Sequence, residues 1–199
     1  MMIDWPLVIV IIGSLITVSA VIPYLVEIVR GQTKPRVVSW FVWTVLTGLG
    51  MAAALAEGQY LTSVLLGTAG FVTLLVVILG WKHGDRHFEK LDIVCLVGAM
   101  VGIILWQLFD SPAIGALAAV GLDLIGGLPT LIHAWKKPHE ETWITFFLSF
   151  LGAGIALAAI SDWRITSVAY PIYLVAINAL YTAVLLGRGR VVKADNRKG

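Results

Sequence analysis

The sequence predicts an all-α integral membrane protein with seven transmembrane helices, built as two parallel three-helix repeats joined by a linker helix. Three observations predict it. Hydrophobic residues make up 59% of the 199 and charged residues only 13%, with a mean hydropathy of +0.91; a soluble domain carries about 25% charge. The apolar residues gather into seven runs, each near the roughly 20 residues that a helix needs to cross hydrocarbon. The chain also repeats itself. Pro6, Pro23 and Arg30 meet Pro112, Pro129 and Lys136, each 106 residues on. After a shortened connector, Pro35-x-x-x-Ser39-Trp40 meets Pro138-x-x-x-Thr142-Trp143. Gly48-x-Gly50 then meets Gly152-x-Gly154, and Leu61-Thr-Ser-Val64 meets Ile165-Thr-Ser-Val168, both 104 on. Six of the seven prolines fall in pairs, which leaves Pro171 as the odd one. An internal duplication of this kind governs the reading of the whole fold.

Taken in order, span one covers about 5–29, with Pro23 near its second end. Met1 leads into it with no basic stretch and no small-residue cleavage site, so it reads as a retained span. A polar turn, Arg30 to Arg36, leads to span two at about 37–56, which Glu57-Gly58-Gln59 ends. Span three is about 60–81, and the longest loop follows at 82–90. Span four is about 91–109, span five about 112–135, span six about 142–160 and span seven about 165–187. The tail, 188–199, reads as basic and disordered. The repeats therefore occupy 1–81 and 112–187, with 82–111 as loop and linker. Three spans reverse direction and a fourth restores it, so the two halves point the same way.

Basic residues set the orientation. With the amino end outside and the carboxyl end cytoplasmic, 13 of the 14 Lys and Arg lie on the inner side, and only Arg164 lies outside. The outer turns carry Asp4, Glu57, Asp110 and Asp162. The cell membrane is the expected location and the lipid bilayer the expected partner. The net charge of +2 implies no nucleic-acid partner, and the single Cys95 excludes an internal disulfide.

A chain of three, one and three spans with its amino end outside resembles the SWEET sugar-transporter and PQ-loop superfamily. The resemblance covers nearly the whole chain through topology. At the residue level it rests on Pro23 and Pro129, on Arg30 and Lys136 seven positions later, and on Ser39 and Thr142 opening the next spans. The glutamine that follows each proline in PQ-loop proteins is Tyr24 and Thr130 here. The resemblance implies a transporter in which two three-helix bundles rock around a central solute, and it does not name the solute.

Ionisable groups at membrane depth are the strongest functional signal, because each is costly to bury. Asp123 lies mid-span between Leu122 and Leu124, with Gly121, Gly126 and Gly127 nearby. It reads as a cavity carboxylate for a polar solute, a cation or a proton, or as a structural carboxylate bonded to another helix. Its repeat mate is Thr17. Glu27 and its mate His133 either meet across the repeat axis as a pH-sensitive gate or reach to the interface. Asn178, mid-span in seven, reads as a solute ligand or as helix glue, and SWEET-type transporters place an asparagine on this helix against the solute. Among the aromatics Trp40, Trp43, Trp143, Phe146 and Phe147, Trp43 and Phe147 are candidates to stack on a solute, the remainder suiting an interfacial belt. Pro23, Pro129 and Pro171 are candidate hinges, or static kinks filled by neighbours.

His83-x-x-x-His87 with Asp85 has metal-like spacing in a watery loop, a weak signal, and no metal site is expected. There is no HExxH, GxSxG or phosphate loop, and span seven has no lysine for a retinal Schiff base. Neither an enzyme nor a cofactor is expected. The leading expectation is a transporter or facilitator of a small polar solute, such as a sugar or amino acid, by alternating access, with proton coupling open to an acidic residue at depth. The alternative is a non-transporting membrane scaffold or sensor that kept the fold. Small residues on spans two and six suit packing within one chain or in a homo-oligomer.

Overall fold

The computed structural model describes residues 5–56, 58, 60–84, 89–108, 112–158 and 163–195. They form seven α-helices and no strand: α1 Trp5–Val29, α2 Val37–Ala56, α3 Tyr60–His83, α4 Lys90–Leu108, α5 Pro112–Lys136, α6 Trp143–Ala158 and α7 Ile165–Asp195. A short 3-10 turn, Pro138–Glu140, precedes α6. Each predicted apolar run becomes one helix, because a continuous helix satisfies its own backbone groups and the polar turns offer water to the ends. At the end of α1, Gly31 takes φ +70° and lets the chain leave the helix.

Four stretches are long and apolar enough to cross a membrane: Ile11–Val29, Ser63–His83, Ala116–Lys136 and Val168–Arg190. Helices α2 and α6 contribute shorter apolar stretches. Large apolar side chains face outward along the helices, among them Leu15 at 61% exposed, Phe71 at 61% and Val94 at 66%. An apolar coat of this extent does not suit water and suits lipid.

The tail differs from expectation. Helix α7 runs on through Asp195 rather than ending near residue 187. No proline interrupts 188–195. Arg188 anchors the extension, its guanidinium 4.8 Å from the centre of the Trp135 ring and its Nε donating to the Trp135 carbonyl at 3.3 Å.

Helix α3 packs against both α1 and α2, and α7 packs against both α5 and α6. The two groups meet where α2 lies on α5 and where α1 lies on α6. Helix α4 packs on α5 and touches α2. The main core joins Tyr24 and Ile28 of α1, Trp40 of α2, Val76 of α3, Phe146 of α6 and Tyr181 of α7. Close packing of these side chains joins the two groups of helices. A smaller cluster of Val42, Ala99 and Leu122 seats α4. Gly126 and Gly127 allow α2 and α7 to approach α5: a Cβ on Gly126 would strike Val42 of α2, and one on Gly127 would lie 2.8 Å from the Tyr181 hydroxyl of α7.

Proline 129 sits inside α5, where its ring disturbs the backbone ladder. The next amide, that of Thr130, donates to Ser39 Oγ of α2 at 3.2 Å, and Tyr181 donates to the Gly127 carbonyl at 2.7 Å. Neighbouring helices thus serve the backbone groups around the proline. Pro23 and Pro171 also lie within α1 and α7, which continue past them.

Candidate functional site

Asp123 lies near the middle of α5 and is 7% exposed. Tyr170 and Tyr173 of α7 reach it together. Spaced i and i+3, they project from one face of that helix. Tyr170 OH donates to Oδ1 at 3.0 Å and Tyr173 OH donates to Oδ2 at 2.7 Å. Their rings lie 6.0 Å apart. The Trp43 indole N–H of α2 lies beside the same carboxylate without a hydrogen bond of full geometry. Trp43 also packs edge-on against Trp40, 5.0 Å between ring centres. Asp123 is therefore enclosed by three aromatic side chains carrying polar hydrogens. The two tyrosine hydroxyls occupy both carboxylate oxygens, so the acid is held by α7 inside an aromatic wall.

Of the residues predicted for this site, Asp123 and Trp43 are brought together. Asn178 is not part of the cluster: its amide donates to the Leu174 carbonyl of its own helix at 2.9 Å, as a helix-bound polar group does. Phe147 is 36% exposed and packs beside Trp143 and Phe150. Its neighbour Phe146 turns inward instead and stacks on Tyr181, 4.5 Å between ring centres. The side chain of Thr17 lies outside the described residues, as do His87 and Asp85 of the weak metal motif. Among the described residues no group of three metal-ligating side chains converges.

A second polar cluster occupies the end that carries the 30–36 and 137–142 turns. Both Thr33 and Thr142 donate to the Glu27 carboxylate, at 2.9 and 2.6 Å, and their hydroxyls lie 2.7 Å apart. The Lys34 amide donates to the Glu140 carbonyl at 2.8 Å, and its ammonium pairs with the Glu140 carboxylate at 3.2 Å. His133 Nε2 and Lys137 Nζ approach the other Glu140 oxygen, at 3.3 and 3.4 Å. Tyr24 donates to Glu141 Oε2 at 2.6 Å, and the Trp40 indole donates to Tyr24 at 3.2 Å. These contacts tie two turns more than 100 residues apart into one latch.

The expected Glu27–His133 pair does not form among the described residues. Glu27 is taken by hydroxyls at closer reach, and His133 turns to Glu140 of its own connector. His133, 6% exposed, is buried rather than extended to the interface.

Two carboxyls of the latch are displaced from their usual range in opposite directions. Burial pushes Glu141 up to about 8; the Tyr24 hydrogen bond opposes this, nearby Glu140 adds to it and Arg36 opposes it. For Glu140, burial also pushes upward, but the Lys34 hydrogen bond and the charges of Lys137 and Lys34 outweigh it and hold the group low. Beside the latch, Arg36 of the first turn pairs with Asp92 of α4, both nearly buried, and lies 3.8 Å from Glu89. The Glu89 amide donates to the same Asp92 oxygen at 2.8 Å. A small hollow of about 50 Å³, open to the outside, adjoins this pair and is lined by Arg36, Glu89, Pro129, His133 and Lys136 among others.

Sequence reasoning missed Tyr170, Tyr173, Glu141 and the Arg36–Asp92 pair. The i, i+3 spacing of Tyr170 and Tyr173 is legible in the sequence, but the acid they face is not, nor are the other long-range partners. No family model, curated protein or solved structure matches the chain.

Proposed function

We propose that the chain is a transporter or facilitator of a small polar solute, working by alternating access between two parallel bundles, α1–α3 and α5–α7, with α4 as the linker. The observation that carries this reading is the Asp123 carboxylate, held near the middle of a helix long enough to cross a membrane and enclosed by Tyr170, Tyr173 and Trp43. An acid in that position is costly to keep without a use. The neighbour relations support the repeat: α3 stands to α1 and α2 as α7 stands to α5 and α6, and the two cross-contacts exchange under the same correspondence. The latched turns then form the closed gate, on the cytoplasmic side by the distribution of Lys and Arg. The solute would pass from the Asp123 site when the latch opens.

Purified protein in liposomes, screened against sugars, amino acids and nucleosides, tests the reading. One class of solute should move, and Asp123→Asn should reduce its flux about 10- to 100-fold, the scale of one hydrogen bond to a charged group. If no solute moves and Asp123→Asn alters nothing measurable, the reading fails. One observation favours a second reading, a scaffold or sensor: both Asp123 oxygens are already bonded within the protein. In that case Asp123→Cys should resist small polar thiol reagents from both sides, whereas a transport site should label from at least one.

A further inference from the structure

Glu141 sits where four elements converge, in the turn that opens α6. It is 6% exposed. Tyr24 of α1 is its one hydrogen-bond partner among the described residues, at 2.6 Å, and Glu141 Oε1 has none. Trp40 of α2 holds the Tyr24 hydroxyl from behind at 3.2 Å. Phe146 packs edge-on against Tyr24 and stacks on Tyr181 of α7, closing the apolar side. The charged and titratable groups facing Glu141 are Tyr24, Glu140, Tyr181 and, at longer range, Arg36. No cation pairs with the carboxyl among the described residues. A buried carboxylate with a single donor and an orphaned oxygen is an expensive arrangement, whereas a neutral carboxylic acid fits the same site at far lower cost.

We propose that Glu141 is a proton-binding site whose occupancy holds the 30–36 and 137–142 turns together, so that loss of the proton to water releases the latch. The step is a simple dissociation: the acid O–H breaks, the proton passes to water at the turn end, and the carboxylate gains hydration only as the turns part. The ligand is the proton itself, and the site is distinct from Asp123. The inference rests on the transport reading only in treating the latch as a gate.

The shift of Glu141 to about 8 agrees with this geometry and fixes the sign. The closed state binds the proton more tightly than an open, hydrated state with an ordinary carboxyl near 4.3. Closure is therefore favoured at low pH and weakens as pH rises. Linkage of one proton makes the opening equilibrium grow about tenfold per pH unit between those two values, levelling above the upper one.

Hydrogen exchange of the full chain in detergent, followed in peptides covering 31–43 and 137–147 and corrected for intrinsic exchange, reads this equilibrium without any solute. In wild type, opening should rise about tenfold per unit from pH 6 and level near pH 8. Glu141→Gln should stay flat at the low-pH value. Tyr24→Phe, which removes the donor that favours the charged form, should move the break upward. A pH profile in Glu141→Gln that matches wild type overturns the proposal, since another group then titrates. Should Glu141→Gln fail to fold, infrared titration of wild type carrying isotope-labelled glutamate decides: a carboxylic-acid band lost near pH 8 supports the proposal, and loss of all such bands by pH 6 overturns it. Because no flux is measured, failure of transport leaves this result standing, and the converse also holds.

Discussion

Arg36→Met would remove the cation that faces Asp92, and the structure sets the scale of the damage. The Asp92 side chain is 1% exposed and that of Arg36 is 6% exposed. One Asp92 oxygen takes both Arg36 and the Glu89 amide, and the other, Oδ1, has no partner among the described residues. After the substitution the carboxylate would keep a single backbone donor in a buried position. Breaking a buried pair from one side costs about 3–5 kcal/mol, because the remaining charge loses its compensation. For a chain of this length that is on the order of 10 °C in Tm. Removing both charges, as Arg36→Met with Asp92→Leu, should recover most of the loss, since an apolar pair of similar volume is often neutral. The assay is thermal and denaturant unfolding in detergent across the full double-mutant cycle. A single-mutant cost below about 1 kcal/mol, the range of an exposed pair, or a double mutant no better than the singles, would refute the argument that burial decides the energy. The same cycle reports on α4, which this pair fastens to the first turn.

Ser39→Ala should cost about 1–3 kcal/mol in the same assay, because the Thr130 amide beside Pro129 loses its acceptor. Gly127→Val should cost about 1–3 kcal/mol by overpacking against the Tyr181 hydroxyl and the Trp43 ring, and crosslinking between cysteines introduced on α2 and α5 should fall. Glu140 works in the opposite pH direction from Glu141. Its held-down carboxyl contributes latch stability above its ordinary range, and that contribution is lost as pH falls through the lowered value; exchange of the turn peptides should rise on acidification in wild type and lose this acidic limb in Glu140→Gln. Phe147→Ala should leave Asp123-dependent flux unchanged, because that ring lies away from the carboxylate on a partly exposed face.

The helices were legible because each boundary coincides with a change of solvent. Apolar runs end at Arg30, Glu57 or Lys136, where charge belongs in water. Asp123 was legible for the same reason in reverse, as a charge where hydrocarbon is expected. Its partners were not. Tyrosine in a span suits an interfacial belt as well as a buried bond, and only packing of α7 on α5 chooses between them. Glu141 was hidden among Lys137, His139 and Glu140, in a stretch that reads as a solvated turn; its burial comes from Tyr24, 117 residues away. Glu27 and His133 fell at matching repeat positions, but the duplicated turns differ by three residues, so symmetry in sequence did not become a contact in space. The tail misled through its charge. Arginine and lysine favour helix as readily as they favour solvent, and Trp135 gives Arg188 something to hold.

The 31 residues of α7 make a rod about 46 Å long, against roughly 30 Å of hydrocarbon. In a bilayer, about three turns would exceed that thickness and stand clear at one end or be shared between both. Beyond Pro171 the helix runs unbroken to Asp195, so a tilt of that segment is carried to its tip with enlarged amplitude. A fluorophore or a rigid helical fusion joined in phase after Asp195 would serve as a pointer, reporting angular motion of the bundle from outside the bilayer.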